Sequence, residues 1–187
     1  MPRLVLARHG RTEWNALGKL QGCTDIPLDE TGRDQARALG AALTGEGIGA
    51  VWSSDLLRAK ETASIVATVL ELGEPHIDPE LRERKFGVFE GLTRSECATR
   101  HPEAWRAWLA RTVAPPDGEQ VADAVARIHR VLHRLATTDG KPVLVVSHGG
   151  VMRLWLMNVL GSTIPLLGNG AMYHVEHDGS RFSALAR

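Results

Sequence analysis

Residues 3–10 read RLVLARHG and residues 143–150 read VLVVSHGG. Each is a short run of Val and Leu that ends on a polar pair containing histidine, followed by glycine. Continuous apolar runs of this length, closed by a turn signal, read as strands buried on both faces of a parallel sheet. A third, shorter run is Ala50-Val51-Trp52-Ser53. Helical spacing fills the intervals. Ala36, Leu39 and Leu43 recur at 3 and 4, behind Thr31 as N-cap with Asp34 three residues on. Ala59, Ala63, Val66 and Leu70 repeat at 4, 3, 4, and Val121, Val125, Ile128, Leu132 and Leu135 continue the pattern until Gly140 and Pro142 close the helix. Strands alternating with helices predict a three-layer α/β/α sandwich with a mostly parallel central sheet.

Residues 74–117 break that rhythm with Pro75, Pro79, Pro102, Pro115 and Pro116, and with Trp105 and Trp108. This stretch is expected to be a helical and loop insertion lying lid-like over the site, inside one domain spanning 1–187. Met172–Val175 and Arg181–Leu185, bracketing Asp178-Gly179, read as a hairpin.

Lys+Arg and Asp+Glu both total 22, so no net charge draws the chain to nucleic acid or an anionic membrane. Eighteen of the 22 basic residues are arginine, either a compositional habit or a means of holding an anion. Cys23 and Cys97 make neither a disulfide framework nor a CxxC, which suits a reducing compartment, the cytoplasm. MPRLVLARHG meets charge too early for a signal peptide, and His148 and Arg153 interrupt the longest apolar stretch, Val143 to Leu160. The expectation is a soluble chain acting on a small molecule, with a homodimer left open.

Three strand-to-helix transitions deliver residues suited to phosphate: Arg8-His9-Gly10, Ser53-Ser54 then Arg58, and Ser147-His148-Gly149-Gly150. Ligands of open α/β sheets bind beyond the carboxyl ends of the strands, where these residues would converge. Arg58 falls in the first turn of its helix, where a cation opposes the helix dipole, so stability alone would place an acid there. Gly10, Gly149 and Gly150 let backbone N–H groups approach an anion.

Other routes of phosphate chemistry fail by inspection. There is no GxxxxGK[ST] run, no cysteine with arginine six residues on, and no close Asp pair after a strand. His129 and His133, and His174 and His177, lack a third metal ligand and read as solvated surface histidines. What remains is histidine as nucleophile. Arg8 and Arg58 would keep His9 unprotonated and clamp the phosphoryl oxygens, and a cationic His148 would help from the other side. That scheme calls for no metal or cofactor.

LARHGRTEWN (6–15), LQGCTDIPLDETG (20–32), SSDLLRAKETA (53–63), LRERKFGVFEG (81–91) and VSHGG (146–150) together resemble the histidine phosphatase, or phosphoglycerate mutase-like, superfamily. The blocks fall in the family's order over residues 4–153. The resemblance implies that His9 carries the phosphoryl group and that Arg8 and Arg58 bind it. It implies that His148 stabilises the transferring group, that Asn15 adds a hydrogen bond, and that Gln21, Gly22 and Gly149 line the pocket. Glu83 would protonate the leaving oxygen and then activate water. Plainer readings stand beside these. Glu83, among Arg82, Arg84 and Lys85, equally fits a solvated charge run, Asn15 a turn, and Trp14 and Cys23 packing.

Arg11 stands where the family often has an acid after RHG, and would add charge for a multiply charged substrate. The mutase branch resembles a longer chain with an extra arginine-rich segment. Here residues 92–117 hold only scattered Arg94, Arg100, Arg106 and Arg111. Hydrolysis of a small phosphorylated metabolite is therefore expected over mutase, α-ribazole-phosphate phosphatase or non-catalytic alternatives.

Overall fold

Strand β1 (Arg3–Arg8) runs through the interior of a six-stranded sheet in a computed structural model that describes residues 3–110, 113–138 and 140–185. Strands β2 (Ala50–Ser53), β3 (His76–Ile77) and β4 (Val143–Ser147) lie parallel to it in the order β3-β2-β4-β1. On the other side β5 (Met172–His177) pairs antiparallel with β1, and β6 (Phe182–Ala184) antiparallel with β5, forming the expected hairpin.

Alternation along the strands explains why the apolar runs are unbroken. Leu4, Leu6 and Val145 face helices α6 (Val121–Ala136) and α7 (Gly149–Leu160). Val5, Ala7, Val51, Leu144 and Val146 face α2 (Glu30–Leu43) and α3 (Leu57–Val69). None of these eight strand residues is more than 2% exposed, so both faces are covered and the three-layer sandwich holds.

Some boundaries differ from expectation for local reasons. Asp29, not Thr31, caps α2, its carboxylate accepting the Gly32 N–H at 2.7 Å. Thr31 is already helical, and its hydroxyl accepts from Arg11 instead. Helix α6 stops at Ala136, before Gly140, because the hydroxyls of Thr137 and Thr138 bond back to the carbonyls of His133 and Arg134.

The 74–117 segment opens by lending β3 to the sheet edge. It continues through 3₁₀ turns at Pro79–Leu81 and Gly87–Phe89 into α4 (Arg94–Arg100) and α5 (Pro102–Leu109). Phe89, Cys97 and Trp105 give it a small apolar core of its own, with Phe86 and Trp108 packed against it. Arg111 lies outside the described residues.

His174 and His177 are buried rather than solvated, because β5 is flanked by β1 and β6 and covered on both faces. They do point oppositely: His174 Nε2 meets Glu46 Oε2 at 3.1 Å, while His177 packs on Phe182 and His133. His129 also departs from a free surface histidine, its Nδ1 accepting the Trp155 indole N–H. Although His177 approaches His133, no group of three His, Cys, Asp or Glu among the described residues is arranged to hold a metal ion.

Candidate active site

Strand register brings the site together. Arg8 pairs with Ser147 and Ser53 with Val146, so the next residues, His9, His148 and Ser54, emerge side by side at the carboxyl ends of three strands. The ladder extends one bond further at each place: His9 N–H donates to Ser147 O and Ser54 N–H to Val146 O, both at 3.1 Å.

His9 is 3% exposed, and its Nδ1 donates to the Gly10 carbonyl at 2.7 Å. That bond leaves the lone pair on Nε2, where Arg58 Nε donates at 3.3 Å. The His148 ring lies 5.1 Å away, centroid to centroid, with its Nε2 bonded to Ser54 Oγ at 2.9 Å. Arg58 is fully buried in the first turn of α3, as its position in the sequence suggested. Its other two nitrogens donate to the carbonyls of Thr24 at 2.9 Å and Gly22 at 2.8 Å. Gly22 sits at φ +53, a backbone conformation that favours glycine and turns its carbonyl chain into this clamp. Arg8 donates to Leu167 O at 2.7 Å, beside Gly149 at the start of α7.

Burial holds both histidines well below the ordinary imidazole range, with Arg58 the next cause in each case. For His9 the expected repulsion by the arginines is therefore real but second to desolvation. Burial and Arg58 likewise disfavour a cationic His148, the condition under which it would help as a charge. Burial also lowers Arg8 and Arg58, opposed chiefly by the Glu83 carboxylate. An arginine stays protonated through such a shift.

Glu83 is 8% exposed, so the solvated charge run is not what forms. Its carboxylate accepts three backbone N–H bonds at 2.8 Å, from Arg84, Gly150 and Val151. Arg127 fixes the segment from outside, donating to the carbonyls of Glu80, Arg82 and Glu83 and pairing with Glu119. Asn15 closes a capping box with Thr12 at the start of α1 (Glu13–Ala16), its Oδ1 accepting while Nδ2 remains its donor. Gln21 is buried with Oε1 unpartnered.

Other residues complete the surroundings, and one of them, Asn169, lies outside every sequence block quoted above. Asn169 Nδ2 donates to Asn15 Oδ1 and reaches the carbonyls of His9 and Gly10. Thr62 Oγ1 accepts from Gly10 N–H and donates to Arg58 O, tying the loop after His9 to α3. Glu90 accepts from the N–H groups of Cys23, Thr24 and Phe86, which makes it a loop clamp. Arg11 is spent on Asp29 at 2.7 Å and Thr31, so its charge anchors α2. Cys23 is half-buried and its thiol donates to Glu83 O.

A neutral buried histidine, with arginine donors beside its free nitrogen and a fixed carboxylate nearby, is equipped to accept and release a phosphoryl group. Known proteins are similar in sequence over most of this chain. Phosphoglycerate mutase-like protein 4 of Arabidopsis thaliana is 39% identical over 155 residues, 80% of this chain and 67% of that protein. The metal-independent phosphoserine phosphatase of the same plant is 39% identical over 80% of this chain and 65% of its own length. The chain spans only about half, 48%, of three longer mycobacterial relatives. Among solved structures, mycobacterial glucosyl-3-phosphoglycerate phosphatase with VO3 superposes with a TM-score of 0.88 at 30% identity, covering 98% of this chain and 97% of that one. The family profile for the histidine phosphatase superfamily, branch 1, matches residues 4–186, and with the strand-end histidines and arginines in place the chain belongs to that family.

Proposed function

We propose that this chain hydrolyses small phosphate monoesters through a phosphohistidine formed at His9. The observation that carries the reading is the His9 ring: Nδ1 bonded to Gly10 O, Nε2 deprotonated and facing Arg58. Glu83, a carboxylate in the free enzyme, first takes a proton from solvent as the substrate dianion binds. Nε2 then attacks phosphorus, and the bond to the ester oxygen breaks as Glu83 gives that oxygen the proton. The neutral alcohol leaves. Glu83, now a carboxylate, takes a proton from water as the water oxygen attacks phosphorus. The P–N bond breaks, inorganic phosphate departs, and His9 is neutral again. Arg8 and Arg58 bind the equatorial oxygens, with their forks already aimed by Leu167, Gly22 and Thr24 carbonyls. His148 stabilises the transferring group, donating through whichever nitrogen carries the proton, and Asn15 donates through Nδ2.

The phosphoryl charge is met by these side chains, so the cycle calls on no metal. The substrate is a small phosphorylated metabolite. Free Cys23 and Cys97 support work in the cytoplasm, and no helix among the described residues is long and apolar enough to cross a membrane.

Brief mixing with radiolabelled substrate, then denaturation, should leave label on the protein that survives base and is lost in acid. His9→Ala should carry none, and activity should persist in excess EDTA. Inactivation by EDTA that magnesium or zinc reverses would overturn the mechanism.

A further inference from the structure

Strand β5 runs antiparallel to β1 with Met172 opposite Ala7, so the residues that precede β5 pass the residues that follow β1. Residues 167–171 use that passage to grip the end of β1. Arg8 N–H donates to Ala171 O at 3.0 Å and Gly170 N–H to Arg8 O at 3.1 Å, while the Arg8 side chain reaches Leu167 O. Gly170 takes φ +73 here, a left-handed turn that glycine adopts without strain. Beside it, the Asn169 side chain meets the loop after β1.

Asn169 Nδ2 has three oxygens within reach: His9 O at 3.2 Å, Gly10 O at 3.3 Å and Asn15 Oδ1 at 3.1 Å. Three acceptors gathered at one point repel one another unless a donor sits between them, and an amide NH2 is a donor with two hydrogens to share. Each of the three has a task in the site. His9 O belongs to the backbone of the attacking residue. Gly10 O accepts His9 Nδ1–H at 2.7 Å and so leaves the lone pair on Nε2. Asn15 Oδ1 also accepts the Thr12 N–H and hydroxyl, which leaves Nδ2 as the donor side of that amide. The capping box ties Asn15 to Thr12, and the bond from Asn169 ties it across to the strand end that carries His9.

We propose that Asn169 is a positioning residue that holds His9 Nε2 and Asn15 Nδ2 in one fixed relation, so that a phosphoryl group meets the attacking nitrogen and the donor together. The inference rests on the hydrolytic reading above, in which Nε2 attacks phosphorus while Asn15 donates. The nitrogen of Asn169 is engaged by three protein oxygens, so the residue acts through His9 and Asn15 and not on the ester itself. Its effect falls on the transition state, where the bond to Nε2 is partly formed and a fraction of an ångström counts. The bound ester tolerates the same error with little loss.

Asn169→Ala removes the bridge, and Asn169→Asp, nearly the same shape, sets an oxygen against the three oxygens. On p-nitrophenyl phosphate, Asn169→Ala should lower kcat about ten- to fiftyfold, less than a full 1 Å error costs, and move KM by under about threefold. Orthovanadate binds as the phosphoryl group in transfer, so its inhibition constant should rise in step with the loss of kcat, while that of inorganic phosphate stays. Asn169→Asp should lose more at about pH 8 than at about pH 5.5, because a carboxyl among oxygens takes up a proton toward acid and then donates again. The deficit of Asn169→Ala against wild type should stay level over the same range. Unchanged kcat in Asn169→Ala overturns the proposal, and so does equal weakening of vanadate and phosphate. Failure of both variants to fold overturns it too, since Asn169 is then structural. If the wild type turns over no phosphomonoester, the hydrolytic reading has failed instead. Calorimetric Kd values for vanadate and phosphate on the same proteins then decide the positioning role, which stands on a selective loss of vanadate and falls without one.

Discussion

Gly150→Ala is a one-carbon test of how Glu83 is held. A Cβ at position 150 would lie 2.7 and 2.8 Å from the two Glu83 carboxylate oxygens and 2.9 Å from the carbon between them. Ordinary contact begins near 3.4 Å, so the carboxylate must withdraw by about 0.7 Å. Its bonds from Gly150 and Val151, now 2.8 Å, would stretch toward about 3.5 Å and cease to be hydrogen bonds. Losing two bonds to a charged acceptor costs about 3–6 kcal/mol, against about 1 kcal/mol gained by alanine over glycine in a helix. The fold should survive that difference. Catalysis should not, since a misplacement approaching 1 Å costs up to about 10²-fold. We expect kcat/KM for an alkyl ester such as glycerol 3-phosphate to fall about 30- to 100-fold. Hydrolysis of p-nitrophenyl phosphate should fall only several-fold, because that leaving group departs as an anion without a proton. Thermal melts of both proteins confirm that folded enzyme is compared. Equal losses on the two substrates would refute Glu83 as proton donor, and unchanged rates would refute its dependence on the space at Gly150.

Two further outcomes follow from the buried charges. Arg58→Lys keeps the charge but cannot reach the Gly22 and Thr24 carbonyls while serving His9, so kcat/KM should drop by about 2–4 kcal/mol in transition-state stabilisation; an unchanged value would make this arginine structural. His9 and His148 are buried neutral in the folded state and take protons near pH 6.5 once unfolded, so stability is full above pH 6.5 and declines as pH falls below it toward their depressed folded values. In urea titrations across that window the two should add about 2.7 kcal/mol per pH unit to the slope, and His9→Ala should remove about half of that; identical slopes in the two proteins would contradict the burial argument.

The central sheet was legible because RLVLA and VLVVS are buried on both faces, and full burial writes itself as an unbroken apolar run. Two-residue β3 left no such mark, and the buried His174 and His177 looked like surface polar residues because one strand's pattern does not report the strands beside it. His9, His148, Arg8 and Arg58 were visible because each follows or lies one turn beyond a strand, where position alone implies convergence. Glu83 was not visible in that way. Amides of Gly150 and Val151, some 67 and 68 residues along the chain, and Arg127, 44 residues along, turn a charged run inward. Asn169 escaped notice for the same reason, since it reaches His9, Gly10 and Asn15 from 154 to 160 residues away.

The balance of charge in the site explains why His9 needs no separate base to keep Nε2 unprotonated. Arg8 and Arg58 are buried cations opposed mainly by one carboxylate, so the pocket carries an excess of positive potential. Backbone carbonyls of Leu167, Gly22 and Thr24 solvate that excess without neutralising it. A third positive charge on His9 would meet both burial and repulsion, and the ring therefore stays neutral with Nε2 open. A phosphate ester arriving as a dianion supplies the missing negative charge, so binding and the neutrality of His9 have a common cause. Glu90 belongs to this arrangement although it never meets the phosphate. It holds the backbone of Cys23 and Thr24, the neighbouring Gly22 and Thr24 carbonyls hold Arg58, and Arg58 faces His9 Nε2. Glu90 thus acts on His9 through the 22–24 loop and Arg58.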